Sequence, residues 1–296
     1  MKKNIFAVFL FLVSTFAQTT SETGMAFLKN GFGARNIAMG DLGVVGTNNI
    51  TAINYNPALI SKLEKSEIAF MHNRFLPDAA TNYFAAGTKL FGLPFVIGLN
   101  STSINDIEVR TVPGKPIAYF DVSYFVASLS TGFSIYNDLD FGLSIKYLYE
   151  GYLREDASGY AFDFGFSYTG LLEYCQIGFS IKNIGTMQNL LNVGSKLPID
   201  YRLGISYKLI LQKNIFELNL ISGIQKYEST DIHLSVGSEV AFKDFLFGRF
   251  GYLSGYELKD YSIGFGIKWK GMNIDYSFLN YQIDSAKHTI SINYKF

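Results

Sequence analysis

The chain has 296 residues and carries 25 Lys+Arg against 25 Asp+Glu, so its formal charge is zero and it offers no basic surface for nucleic acid. One cysteine, Cys175, excludes an internal disulfide and a cysteine-based zinc site, and only 6 Pro exclude long proline-rich linkers. The aromatic load is high, with 20 Tyr and 27 Phe.

The first element is an export signal. Lys2 and Lys3 supply the charged region, Ile5 to Val13 the apolar region, and Thr15 and Ala17 the small residues before a cut at Gln18. This apolar run is too short to cross a bilayer as a helix, and no later stretch reaches the ~20 apolar residues that a membrane helix needs. The reading is a signal peptide over 1–17, cleaved near Ala17, and an exported chain whose membrane residence must come from strands.

Residues 18–65 show no alternation. They hold Gly24, Gly31, Gly33, Gly40, Gly43 and Gly46, then Asn56-Pro57-Ala58-Leu59. Asn56 suits a helix cap and Pro57 the first helical position, where a missing N–H costs nothing. A glycine-rich segment ahead of a barrel packs most naturally inside it, where backbone must approach backbone. The expectation is an N-terminal hatch, or plug, in a lumen.

From residue 66 to 296 the dominant pattern has period 2. Tyr160, Phe162, Phe164, Phe166 and Tyr168 alternate with Ala161, Asp163, Gly165, Ser167 and Thr169; Tyr261 to Trp269 repeats the pattern. A soluble β-sandwich also alternates. Three features favour a transmembrane antiparallel β-barrel of about 14 strands. Aromatics cap the apolar faces, as girdles do at membrane interfaces. The other face is rich in Gly and Ser, as a crowded lumen requires. The connections also alternate in length. Short turns near Phe91–Pro94, Tyr136–Leu139, Gly170–Tyr174, Leu211–Asn214, Lys243–Phe245 and Trp269–Gly271 alternate with longer loops at His72–Ala80, Asn105–Tyr119, Gly151–Gly159, Gly185–Ile199, Lys226–Thr230, Leu253–Asp260 and Asn280–Ala286. The last strand ends on Tyr294 and Phe296, a terminal aromatic pattern that resembles the signal read by the barrel assembly machinery. Bacterial outer-membrane lipid and that machinery are the expected partners.

Catalytic and metal chemistry find little footing. His72 falls in a predicted loop, His288 begins the last strand, and His233 is the one histidine on a lumen face; no two share metal-ligand spacing. The reading is a non-enzyme with no cofactor and no metal. Charges on polar faces, among them Lys146, Asp163, Arg202, Glu239 and Lys268, are read as ion pairs with each other and with hatch residues such as Arg35, because an unpaired buried charge is costly. Cys175, at the start of a strand, is read as inert packing.

Three motifs in order, Gly31-x-Gly33-Ala34-Arg35, Ala38-Met39-Gly40 and Asn56-Pro57-Ala58, resemble the start of the PorV/PorQ family, over about 35 residues. That family is related to FadL-type transporters of hydrophobic compounds, which are fourteen-stranded barrels with an N-terminal hatch. The resemblance implies a non-enzymatic component of type IX secretion or surface attachment, with secretion-system subunits or secreted cargo as partners. The external loops look shorter than those of the cargo-shuttle member. The alternative reading is a FadL-like outer-membrane transporter of hydrophobic small molecules.

Overall fold

A strand in hydrocarbon cannot leave its edge N–H and C=O groups unpaired, so a sheet that crosses a membrane must close on itself. The computed structural model does so. It describes residues 24–47, 49–76, 78–111, 114–152, 155–189, 196–212, 215–228, 230–282 and 285–296. The predicted signal peptide and residues 18–23 of the predicted hatch lie outside the described residues. No helix among the described residues is long and apolar enough to cross a membrane.

Fourteen strands follow the hatch: β1 (Glu67–Leu76), β2 (Ala79–Leu90), β3 (Leu93–Val109), β4 (Ala118–Tyr136), β5 (Leu139–Tyr152), β6 (Glu155–Tyr168) and β7 (Cys175–Met187), then β8 (Asp200–Gln212), β9 (Phe216–Tyr227), β10 (Ile232–Phe242), β11 (Leu246–Ser254), β12 (Lys259–Trp269), β13 (Met272–Tyr281) and β14 (Ser285–Lys295). Each pairs antiparallel with its sequence neighbours, and β1 pairs with β14 to close the barrel. The seam sets Ile68 opposite Tyr294 and Arg74 opposite His288. Beyond it, the Phe296 N–H donates to the Ser66 carbonyl at 3.0 Å, and the Phe296 ring meets Tyr294 edge to face at 4.9 Å.

The period-2 reading of the faces holds. On β6, Tyr160, Phe162, Phe166 and Tyr168 are exposed on the outside, while Ala161, Asp163 and Ser167 are buried within. On β12, Ile263, Phe265, Ile267 and Trp269 point out and Ser262 points in. Apolar groups outward and polar groups inward is the reverse of a soluble sheet and the order that lipid demands.

Two of the connections expected to be long are short. β1 ends at Leu76 and β2 begins at Ala79, and β5 ends at Tyr152 and β6 begins at Glu155, so these strands follow one another as closely as those joined at the other end. His72 lies inside β1, not in a loop. The polar residues His72-Asn73-Arg74 and Glu155-Asp156 look like loop composition, yet they keep strand pairing with β14, β2 and β5. Residues 110–117 and 188–199 remain long connections at the end opposite the short turns.

Phe265 is 58% exposed in the middle of β12, with its side chain toward lipid. Phe265→Arg is expected to cost about 2–4 kcal/mol at the bilayer midplane and to reduce the heat-modifiable, folded band on a denaturing gel, whereas Phe265→Leu is expected to leave it intact. Equal yields from the two would contradict the outward placement of this face.

Candidate functional site

The lumen is occupied by the segment that precedes β1. Residues Met25 to Ile60 are nearly all buried. Their secondary structure is short: 3-10 turns at Ala26–Lys29, Ile50–Asn54 and Pro57–Ile60, and one turn of helix, α1 (Ala34–Ala38). The first turn packs Phe27 and Leu28 on Val126, Leu148 and Ala161, and Phe27 stacks on Tyr124 at 4.7 Å.

From Ala38 to Ala58 the segment runs along the inner wall against the strands from β12 back to β5. Glycines stand at close approaches of wall to hatch: Gly264 faces Ala38, Gly251 faces Gly40, Gly237 faces Met39, Gly178 faces Val44, Gly165 faces Asn56 and Gly142 faces Ala58. A Cβ at Gly237 or Gly251 would collide with the Met39 and Gly40 backbone, which has no rotamer with which to yield. Gly33 (φ 77°) and Gly40 (φ 76°) bracket α1 in the left-handed region that side chains avoid.

Polar anchors fix the path. The Ala34 N–H donates to Ser291 Oγ at 3.1 Å, and the Gly40 N–H to Ser262 Oγ at 3.2 Å. Ser262 Oγ in turn donates to the Ala38 carbonyl at 3.0 Å. Asn56 is fully buried, and its Nδ2 donates to the Val44 and Phe166 carbonyls at 3.0 and 2.9 Å. Its Oδ1 accepts the Ala58 N–H at 3.1 Å, which caps the turn begun by Pro57. Met39 is buried with Leu42, Val44, Val45 and Ile221.

Two charge networks join hatch to wall. Arg35 donates through Nε and Nη2 to Glu239 of β10 at 2.9 and 2.7 Å. Glu239 also accepts from Arg249 of β11 at 2.6 Å, and Arg249 donates to Asp275 of β13 at 2.7 Å. The second network centres on Asp41. Tyr55 OH donates to Asp41 Oδ1 at 2.6 Å and accepts the Phe32 N–H at 2.7 Å. Arg202 donates to the Asp41 carbonyl at 3.0 Å and to Asp200 at 2.8 Å, where Lys182 also pairs at 3.3 Å. The sequence reading missed Asp41 and Tyr55. Each adjoins a motif it did note, in Met39-Gly40-Asp41 and Asn54-Tyr55-Asn56.

The remaining candidates are structural. His233 Nδ1 donates to the Gly255 carbonyl at 2.9 Å, and its ring stacks on Tyr256 at 3.9 Å, so it holds the loop after β11. Burial pushes the Tyr256 phenol up from its ordinary pKa, so its O–H stays protonated and donates to Gln225 Oε1 at 2.6 Å. Lys146 pairs with Asp163 at 2.5 Å, and Lys268 with Asp244 at 2.5 Å. Cys175 is a buried free thiol.

One cavity of about 550 Å³ opens among the short turns. Its walls mix charged side chains, including Arg35, Glu239, Arg249, Asp275, Lys208 and Glu217, with Tyr174, Ala241 and Phe247, so it is a vestibule that ends on the Arg35 latch.

Solved structures share this architecture. The Pseudomonas putida toluene transporter TodX aligns with a TM-score of 0.62 at 13% identity, over 90% of this chain and 98% of that one. A deltaS2S3 mutant of TodX, described as a monoaromatic hydrocarbon channel, gives 0.59 at 13% identity over the same shares, 90% and 98%. A Pseudomonas aeruginosa FadL homologue gives 0.49 at 10% identity, over 86% of this chain and 96% of that one. No protein-family model matches the chain, and no curated protein matches its sequence. At these identities the likeness is one of fold: a closed barrel of the bacterial outer-membrane class.

Glu239 is the hinge of the first network. Glu239→Ala leaves Arg35 and Arg249 facing each other, and a broken buried pair costs about 3–5 kcal/mol. The expected outcome is a lower urea midpoint in detergent micelles, with Thr230→Ala at the opposite rim near wild type. Equal midpoints for the two would remove the network from any role in holding the hatch.

Proposed function

We propose that this chain is a hatch-gated, non-enzymatic outer-membrane barrel that passes small hydrophobic molecules, as the TodX transporter does. The observation that carries the reading is the alignment with that transporter over nearly the full length of both chains. Export by a signal peptide over 1–17, insertion by the barrel assembly machinery through the Tyr294/Phe296 terminus, and the 110–117 and 188–199 connections on the cell exterior belong to the same proposal. The hatch motif residues Gly31, Gly33, Ala34, Arg35, Met39, Gly40, Asn56, Pro57 and Ala58 are its gate.

A second reading has its own support. The order of the hatch motifs resembles PorV/PorQ proteins, and the 550 Å³ vestibule holds ion-paired charges, Arg35, Glu239, Arg249 and Asp275 among them, beside Tyr174, Ala241 and Phe247. On that reading the sealed barrel serves type IX secretion or surface attachment, and its partners are secretion subunits or cargo.

Deletion of the gene separates the two. The transport reading expects loss of growth on a hydrophobic carbon source, with secreted and surface-attached proteins still in place. Loss of those proteins with hydrophobic uptake intact would overturn it in favour of the second reading.

A further inference from the structure

The inner wall over α1 carries a cation that the fold does not neutralise. Lys287 points inward from β14, in alternation with Thr289, Ser291 and Asn293, and is 1% exposed. It makes no hydrogen bond and no ion pair with any described residue. The charges that act on it across the lumen are Asp41, already held by Tyr55 and Arg202, and a second cation, Lys259. Lys259 stands on β12 opposite Tyr281, with its Nζ over the Tyr256 ring at 4.1 Å and no ion pair among the described residues. With Arg202 and Lys182, the two lysines set four cations against Asp41 and Asp200.

One pleat nearer the short turns, three adjacent strands repeat the imbalance. Ser277 on β13 lies opposite Thr289 on β14, and Thr289 lies opposite Asn73 on β1. All three are fully buried. The Ser277 and Thr289 hydroxyls and both ends of the Asn73 amide have no hydrogen-bond partner among the described residues. A further pleat on, Ser291 accepts the Ala34 N–H of α1. The line from Lys259 through Lys287 to Thr289 therefore starts beside the partly exposed Tyr256 and Tyr281 and leads to the hatch helix. Ile37, Leu253 and Leu279 form an apolar cluster along it, with Tyr256 and Tyr281 packed against them.

We propose that this wall is a binding site for a small organic acid, with its carboxylate held by Lys287 and the Ser277–Thr289–Asn73 row and its apolar body on the Leu279 and Tyr281 side. The unmet groups are mainly donors: two ammonium groups, two hydroxyls and an amide N–H. A carboxylate is the acceptor that matches them. A buried cation without a partner lowers stability, so its presence here answers to binding rather than to support of the wall. The hatch fills the lumen alongside, so the body of the acid is no larger than a single ring or a short chain. The choice of an organic acid over an inorganic anion rests on the apolar cluster and on the transport reading above. Bound there, the acid lies against α1, the part of the hatch that Arg35 latches.

The test is equilibrium dialysis of labelled benzoate against the full chain in detergent micelles near neutral pH, with empty micelles as the blank. Expected are saturable binding of benzoate, at least tenfold weaker binding of the neutral isostere benzyl alcohol, and no displacement by an equal concentration of inorganic phosphate. Lys287→Met is expected to lose benzoate at least tenfold while the urea midpoint rises, because the variant removes a buried cation that has no partner. A lysine that merely supported the wall would lower the midpoint when replaced. Lys259→Gln, at a partly exposed position, is expected to fold as wild type does and to lose benzoate severalfold. Lys226→Ala, an exposed cation on β9, is expected to match wild type. Equal binding by wild type and both lumen variants, a lowered midpoint in Lys287→Met, equal loss in Lys226→Ala, or displacement by phosphate would overturn the proposal. Gene deletion decides the transport reading separately: a barrel that supports growth on a hydrophobic carbon source yet binds no benzoate overturns this site and leaves that reading in place.

Discussion

The lumen depends on contact between two backbones, that of the hatch and that of the wall. Where Met39, Gly40 and Ala58 pass the wall, the residues opposite are glycines, and a single methyl there would meet main chain rather than a movable side chain. This closeness sets the geometry of everything else. It brings the Ala34 and Gly40 N–H groups within reach of Ser291 and Ser262, and it seats Asn56 between Val44 and Phe166. The fold thus trades side-chain volume for hydrogen bonds in a space that closed packing would otherwise fill with aliphatic groups.

Buried charge follows from the same crowding. Each buried arginine lies beside a carboxylate: Arg35 and Arg249 share Glu239, while Arg202 bridges Asp41 and Asp200. Because each network has members on the hatch and on several strands, neither forms until both are in place. The networks are weak evidence for net stability and stronger evidence for register, since a one-residue slip of a strand would turn its charge toward lipid.

The barrel was legible in the sequence because lipid imposes a period. Tyr160 to Tyr168 and Tyr261 to Trp269 announce their faces residue by residue, and glycines on the alternate face announce a crowded interior. Strand ends were not legible. Once a strand clears the apolar belt, its outward residues turn polar and look like a loop, which is why His72 and Glu155 were misplaced. The hatch was legible as motif but not as contact. Asp41 has no signature of its own; its importance comes from Tyr55 and Arg202, which lie 14 and 161 positions away and meet it only in the closed lumen.

Any passage through this barrel must therefore displace part of the hatch, and the two ends of the hatch differ in how firmly they are held. At the Asn56 end, one fully buried side chain supplies three hydrogen bonds, and removal would orphan two carbonyls and an N–H away from water. At the Arg35 end, the side chain is 13% exposed and borders the vestibule, so water can solvate it as it leaves Glu239. Glu239 would keep Arg249 as its partner when Arg35 departs. The α1 end is thus the cheaper one to release, and it faces the end of the barrel where the short turns lie. A solute moving toward that end would push against the contact that the structure leaves easiest to replace.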